Sequence, residues 1–252
     1  MRVAALYDIH ANPVALRAVL AELEQEPVDL IVVGGDAVRG PLPVPTIELL
    51  RSLGDRAVFV RGNTDRWTVE EFDARAGIAS DEGRVERPAA AWTATRIDQG
   101  QRDFLGSFQE PVVIEVVGLG ATLFCHGSPR SDEEILTSLT PEERWRPMFA
   151  GVEQRLVVCG HTHAQSDRGL GGVRVVNAGS VGMPYEGRAG AYWALLGPDV
   201  RLRRTDYDIR AAEAELRGGG WPGVDDFLRN SLLEPADPLQ IAESLERQAQ
   251  ET

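Results

Sequence analysis

All four histidines of this chain stand in short segments rich in Asp, Asn and Gly: Asp8-Ile9-His10, His126-Gly127 and Gly160-His161-Thr162-His163. Two further segments, Gly35-Asp36 and Gly62-Asn63-Thr64-Asp65, share that composition. A lone histidine is usually a structural residue, but a whole complement placed this way points to cation binding. Carboxylate and imidazole donors suit Mn, Fe, Zn, Ni or Co, and an Asn amide oxygen adds a further hard ligand. We therefore expect Asp8, His10, Asp36, Asn63, His126, His161 and His163 to be metal ligands, with the two oxygens of Asp36 able to bridge two ions. In extended backbone, residues two apart point the same way, so Asp8 and His10 can address one cation, as can His161 and His163. The glycines before Asp36, Asn63 and His161 allow sharp turns and close backbone approach.

Such segments need elements to bring them together, and each follows an apolar run. Arg2 to Tyr7 reads as a strand, Pro13 to Glu24 as a helix with Val14, Leu16, Val19, Leu20 and Leu23 at helical spacing, and Leu30 to Val33 as a buried strand. A helix around Thr46 to Ser52 and a strand at Ala57 to Val60 continue this βαβ alternation, predicting a first sheet that is largely parallel. Between Asp65 and Glu110 helices are expected, for example Ala89 to Ile97, separated by Gly and charged breaks. From Pro111 the texture becomes β-rich: Val112 to Val117, Ala121 to Phe124, Arg155 to Cys159, Val173 to Val176, Ala191 to Leu196 and Val200 to Arg204 are expected to form a second sheet with antiparallel hairpins. The predicted fold is α/β, a four-layer α/β/β/α sandwich with two mixed β-sheets and helices on both outer faces. Loops from different parts of such a chain converge beyond the carboxyl ends of strands. The expected organisation is a domain over 1–205 and a C-terminal helical extension over 206–252 packed on the core, with helices at Ile209 to Leu216, Phe227 to Leu233 and Leu239 to Leu245.

Composition narrows the partners. A formal net charge of -13 over 252 residues disfavours tracking along long nucleic acid, which draws affinity from clustered Lys and Arg. Apolar content of 43% and the absence of a membrane-length uncharged run predict a soluble protein, and the N-terminal run is too short for a signal-peptide core, so the cytoplasm is the expected compartment. Cys125 and Cys159, each ending an apolar run, are expected to be buried thiols rather than a disulfide.

Taken in order, these segments resemble the pattern of the calcineurin-like metallophosphoesterase superfamily: D-x-H, G-D, G-N-H-[D/E], a later H and G-H-x-H. The Asp8-Ile9-His10-Ala11-Asn12 opening, His126-Gly127-Ser128-Pro129-Arg130 and Asn177-Ala178-Gly179-Ser180-Val181-Gly182 are most similar to its small bacterial and archaeal phosphodiesterases. The resemblance covers Arg2 to about Arg204. It implies that Asp8, His10, Asp36 and His163 hold one metal, that Asp36, Asn63, His126 and His161 hold the other, and that the fold is the same four-layer sandwich. Asp36, Asn63 and His126 are expected to be catalytic as well as ligating. The implied cofactor is two divalent ions, with Mn expected first and Fe, Zn, Ni, Co or Mg as alternatives. The implied activity is hydrolysis of a small phosphodiester or nucleotide-like substrate by attack of a metal-bridging hydroxide on phosphorus, with no protein nucleophile.

Asn12, Arg39, Arg61 and Arg130 lie within a few residues of a ligand and are candidate substrate contacts; Asn12 is also a candidate N-cap for the helix starting at Pro13. The sequence departs from the family at Thr64, where the pattern carries a histidine assigned as general acid. A threonine hydroxyl does not titrate near neutrality, which disfavours poor leaving groups. Asp65 occupies the family's acidic position and could cap a helix after Arg66. Competing expectations are a non-enzymatic scaffold of the same fold, a protein Ser/Thr phosphatase or a dinucleoside polyphosphate hydrolase.

Overall fold

The computed structural model describes residues 1–78 and 87–251. Strand β1 (Val3–Leu6), helix α1 (Pro13–Leu23), β2 (Leu30–Val33), α2 (Pro43–Arg51) and β3 (Ala57–Phe59) form the alternating first part. Asn12 caps α1 by accepting from Ala15 N at 3.1 Å, Pro13 opens the helix, and Ala15, Leu16, Val19 and Leu23 form its buried face. Helices α3 (Asn63–Arg75), α4 (Pro88–Ala94) and α5 (Gln99–Gly106) follow. Part of the charged break expected between α3 and α4 falls at 79–86, outside the described residues.

The second part contributes β4 (Val112–Val116), β5 (Gly120–Phe124), α6 (Glu142–Trp145), β6 (Leu156–Cys159), β7 (Ser166–Leu170), β8 (Val173–Asn177), β9 (Ala191–Leu196) and β10 (Val200–Thr205). Two five-stranded mixed sheets result, in the orders β10-β9-β1-β2-β3 and β4-β5-β6-β8-β7. One expectation is corrected here: β9 and β10 belong to the first sheet, where β9 runs antiparallel to β1, and not to the second. An apolar run specifies a buried strand without naming its neighbour; all six residues of β9 are buried, as suits an interior position. The edge strand β7 was not expected, because its residues Ser-Asp-Arg-Gly-Leu carry no apolar alternation.

The sheets pack face to face through Val3, Ala5, Val32, Phe124, Val158, Val176 and Leu196. On the outer face of the first sheet, Ala4, Leu6 and Trp193 pack with Leu16, Ile47 and Leu105 of the helices. On the outer face of the second, Leu123, Val157 and Val175 are covered by Trp145, Met148 and Phe149. Those are the four predicted layers, with the second helical layer reduced to α6 and the 3-10 turn after it. Cys125 and Cys159 are buried and free.

After β10 come α7 (Ile209–Arg217), α8 (Val224–Leu228), a π-helical turn at Arg229–Leu233 and α9 (Pro238–Glu251). Ala212, Leu216, Phe227, Leu228 and Leu232 pack together against Val14, Leu42 and Met183. The Glu246 carboxylate of α9 accepts from the Thr137 and Thr140 hydroxyls and from Arg144. Among the described residues, no helix is long and apolar enough to cross a membrane.

Candidate metal centre

The five segments meet at the carboxyl ends of strands from both sheets. Asp8 and His10 follow β1, Asp36 follows β2, Asn63 opens α3 just beyond β3, His126 follows β5, and His161 and His163 follow β6. The backbone there is unusual. Among the described residues, the non-glycine residues with positive φ are Asp8, His10, Ala11, Asp36, His161 and His163. A left-handed conformation costs a non-glycine residue about 1–3 kcal/mol and persists only where surrounding structure imposes it. Glycines allow the loops to touch: a Cβ on Gly62 would lie 2.3 Å from Asp36 N and 2.3 Å from Asp36 Oδ1.

Two clusters of donor atoms result. Asp8, His10 and His163 form one, and Asp36, His126 and His161 the other, with ligand atoms in each within 4.8 Å of one another. His161 and His163 thus face different clusters, contrary to the alternation argument. That rule requires extended backbone, which neither pair has: φ is 67° at His161 and 60° at His163, and 52° at Asp8 and 47° at His10, which nonetheless share one cluster. Asp36 lies between the clusters: its Oδ2 is 3.7 Å from His10 Nε2 and its Oδ1 is 3.4 Å from His126 Nε2. Asn63 Oδ1 is 3.1 Å from His126 Nε2.

The tautomers of three histidines follow from their neighbours. His10 Nδ1 donates to the Arg39 carbonyl at 3.1 Å, His126 Nδ1 to the Gly34 carbonyl at 2.9 Å and His163 Nδ1 to the Met183 carbonyl at 2.8 Å. A carbonyl can only accept, so each Nδ1 carries a proton, and the tautomer this selects for the neutral ring is the one that presents a bare Nε2 to the centre. In that state the His10 and His163 Nε2 lone pairs face each other at 3.0 Å. Asp8 Oδ1, 3.2 Å from His163 Nε2, is buried without a hydrogen-bond partner. Lone pairs converging without protons repel one another unless a cation lies among them, so the donor set fits a divalent ion.

Burial pushes His10 down to about 3 and His161 down to about 4, helped by repulsion from His163 and His126 respectively. Both are neutral, metal-competent imidazoles at neutral pH. For Asp36, burial opposes ionisation, but attraction to His126, His10 and His161 outweighs it and holds the carboxyl below its usual range. Asp8 is likewise lowered, burial being outweighed chiefly by His163.

Asp65 is the third residue of α3 rather than the cap of a later helix. Its carboxylate accepts from Asp36 N at 2.8 Å, Ala37 N at 2.9 Å and Gly62 N at 3.1 Å, tying the Asp36 loop to the helix. Burial and the charge of Asp36 push this carboxyl up to about 7, against the pull of those N–H groups. Thr64 N donates to Asp36 Oδ1 at 2.9 Å, while the buried Thr64 hydroxyl has no partner.

The candidate substrate contacts separate. Arg39 lines a cavity of about 360 Å³ together with His10, Asp36, Asn63, His161 and His163. Arg61 and Arg130 line another, of about 310 Å³, which reaches only His126 of these ligands. Arg61 pairs with Glu110, and Arg130 Nε donates to Glu134 at 2.9 Å. Asn12 is fully buried, with Oδ1 capping α1 and Nδ2 donating to the Gly182 carbonyl at 3.1 Å. Two neighbours escaped the sequence reading. Tyr185 stacks on His163 with ring centroids 5.0 Å apart, and the Met183 carbonyl orients the same ring. The Gly-rich run at 177–182 signals a turn before them, but a carbonyl partner leaves no mark in side-chain pattern.

Comparison with known proteins bears on this geometry. The chain is 28% identical over 239 residues to an uncharacterised protein of Methanocaldococcus jannaschii, covering 85% of this chain and 91% of the relative. It superposes on the crystal structure of a metallophosphoesterase from Sphaerobacter thermophilus with a TM-score of 0.70 at 28% identity, covering 90% of this chain and 98% of that one. A hypothetical protein from Pyrococcus horikoshii shares the fold with a TM-score of 0.77 at 19% identity, over 94% of this chain and 99% of that one. The model of the calcineurin-like phosphoesterase superfamily domain matches residues 1–197, which contain every ligand candidate named above, and the chain belongs to that superfamily.

Proposed function

We propose that this chain is a phosphodiesterase acting on small phosphodiester or nucleotide-like substrates with two divalent cations, manganese foremost. The observation that carries this reading is the convergence of carboxylate and imidazole donor atoms on two adjacent points with Asp36 between them. Asp8, His10, Asp36 and His163 would hold one ion, and Asp36, Asn63, His126 and His161 the other. Such a pair supplies a water of lowered pKa and positive charge for the phosphoryl oxygens. The chain's own residues set the rest. Asp65 holds the Asp36 backbone N–H, the Thr64 N–H donates to the Asp36 carboxylate, and Arg39, in the same cavity, would bind a phosphoryl oxygen.

Thr64 supports the preference for diesters with good leaving groups. Its hydroxyl is buried beside Asp36 and has no base or acid to relay a proton. The test is to purify the protein, identify its metals, and compare bis(p-nitrophenyl) phosphate with p-nitrophenyl phosphate across Mn, Fe, Zn, Ni, Co and Mg. We expect the diester to be hydrolysed faster. Absence of bound metal together with no hydrolysis under any cation would overturn the enzyme reading; a monoester preference would overturn the diester assignment.

A further inference from the structure

A cavity of about 550 Å³ opens beside the metal centre and shares Arg39, Pro88, Ala89, Met183 and Tyr185 with the cavity lined by His10, Asp36, Asn63, His161 and His163. Its far wall comes from residues 221–231, beyond the segment matched by the family domain. Small-molecule sites occupy roughly 300–1,000 Å³ and combine apolar walls with a few polar groups, as this chamber does.

Its chemistry is specific. Trp92 of α4, Trp221 and Tyr185 supply aromatic rings, and Asp226, Asn230 and Ser231 supply polar groups. Trp221 is held in place: Phe227 meets it edge-on at 5.9 Å and 82°, and a Cβ on Gly223 would lie 2.9 Å from its ring. The fully buried Ser231 has a hydroxyl without a hydrogen-bond partner. Flat aromatic surface with hydrogen-bonding groups matches a nucleobase, which has a π-face and a polar edge; a lipid chain would leave those polar groups unmatched.

We propose that this chamber is a nucleoside subsite and that the substrate is a phosphodiester bearing a nucleoside, whose phosphate meets the metal centre near Arg39. The inference rests on the phosphodiesterase reading above and adds the identity of one esterifying group. The C-terminal segment is then the part of the chain that selects substrate.

Thymidine 5′-(p-nitrophenyl) phosphate and methyl p-nitrophenyl phosphate test it, since they share charge and leaving group and differ in the nucleoside. The wild type is expected to prefer the thymidine diester in kcat/KM by about tenfold or more, as expected for one stacked base. Trp221→Ala should abolish most of that preference, chiefly through KM, and Trp221→Phe should retain most of it. A preference near one in the wild type, or one that Trp221→Ala leaves intact, would overturn the subsite while leaving the phosphodiesterase reading standing. If neither diester is hydrolysed, the phosphodiesterase reading fails and binding decides the subsite. Saturable quenching of tryptophan fluorescence by thymidine 5′-monophosphate, lost in Trp221→Ala, would support it, and no quenching would overturn it.

Discussion

Replacing Asn12 by alanine separates a structural role from substrate contact. The side chain does two things in the fold: Oδ1 accepts from Ala15 N at 3.1 Å as the cap of α1, and Nδ2 donates to the Gly182 carbonyl at 3.1 Å. Losing a helix N-cap costs about 1 kcal/mol. Leaving the Gly182 carbonyl buried and unpaired costs about 1–3 kcal/mol more. The sum is about 2–4 kcal/mol, and at roughly 2–4 °C per kcal/mol for a chain of this size Tm should fall by about 4–16 °C. Asn12→Ser keeps a capping oxygen but cannot reach Gly182, so it should lose only the second contribution. The assay is thermal unfolding followed by circular dichroism at fixed metal concentration, with kcat/KM measured per folded enzyme at 20 °C below the variant's Tm. Because Asn12 is fully buried, kcat/KM should change by less than about fivefold, well under the tenfold that 1.36 kcal/mol of barrier represents. An alanine variant with unchanged Tm and a hundredfold loss of kcat/KM would refute this reasoning and restore Asn12 as a substrate contact.

Thr64→His should restore a titratable donor and so raise the hydrolysis of diesters with alkyl leaving groups more than that of p-nitrophenyl diesters; equal effects on both count against the leaving-group argument. Gly62→Ala drives a Cβ into Asp36 N and Oδ1, each 2.3 Å away, and should lower bound metal and cut kcat/KM by at least about a hundredfold, roughly 2.7 kcal/mol. Gly77→Ala, whose Cβ would meet nothing within 4 Å among the described residues, provides the contrast: it should cost only the roughly 1–2 kcal/mol of left-handed backbone and leave metal content unchanged. Burial pushes the Glu186 carboxyl up to about 7 from its usual 4.5. A raised carboxyl contributes stability that is complete below pH 4.5 and is lost as pH rises through 7. Since the side chain is only partly buried, solvent screening reduces the effect to about 1–2 kcal/mol. Glu186→Gln should therefore leave Tm unchanged at pH 4.5 and raise it by about 2–8 °C at pH 8, and a variant less stable than wild type at pH 8 would contradict that sign.

Residue type and order were enough to mark the candidate ligands and the alternating first part of the chain. Asp, Asn and His beside Gly at the ends of apolar runs are local features, and so is the helical spacing of α1. The choice of sheet for β9 was not local: it depended on the free edge of β1, 193 residues away in sequence at the Val3–Leu196 pair. Spacing alone would have put His161 and His163 on one cation; the family resemblance separated them, and the two rings do lie in different clusters. Nor could side-chain pattern reveal that the carbonyls of Arg39, Gly34 and Met183 hold the protons of three imidazoles. The sequence by itself determined which atoms are available for chemistry, since donor identity belongs to the residue. Tertiary structure alone decided which carbonyl each imidazole Nδ1 meets, and that residues 221–231 wall a chamber beside Arg39, because these depend on distances between segments remote in the chain.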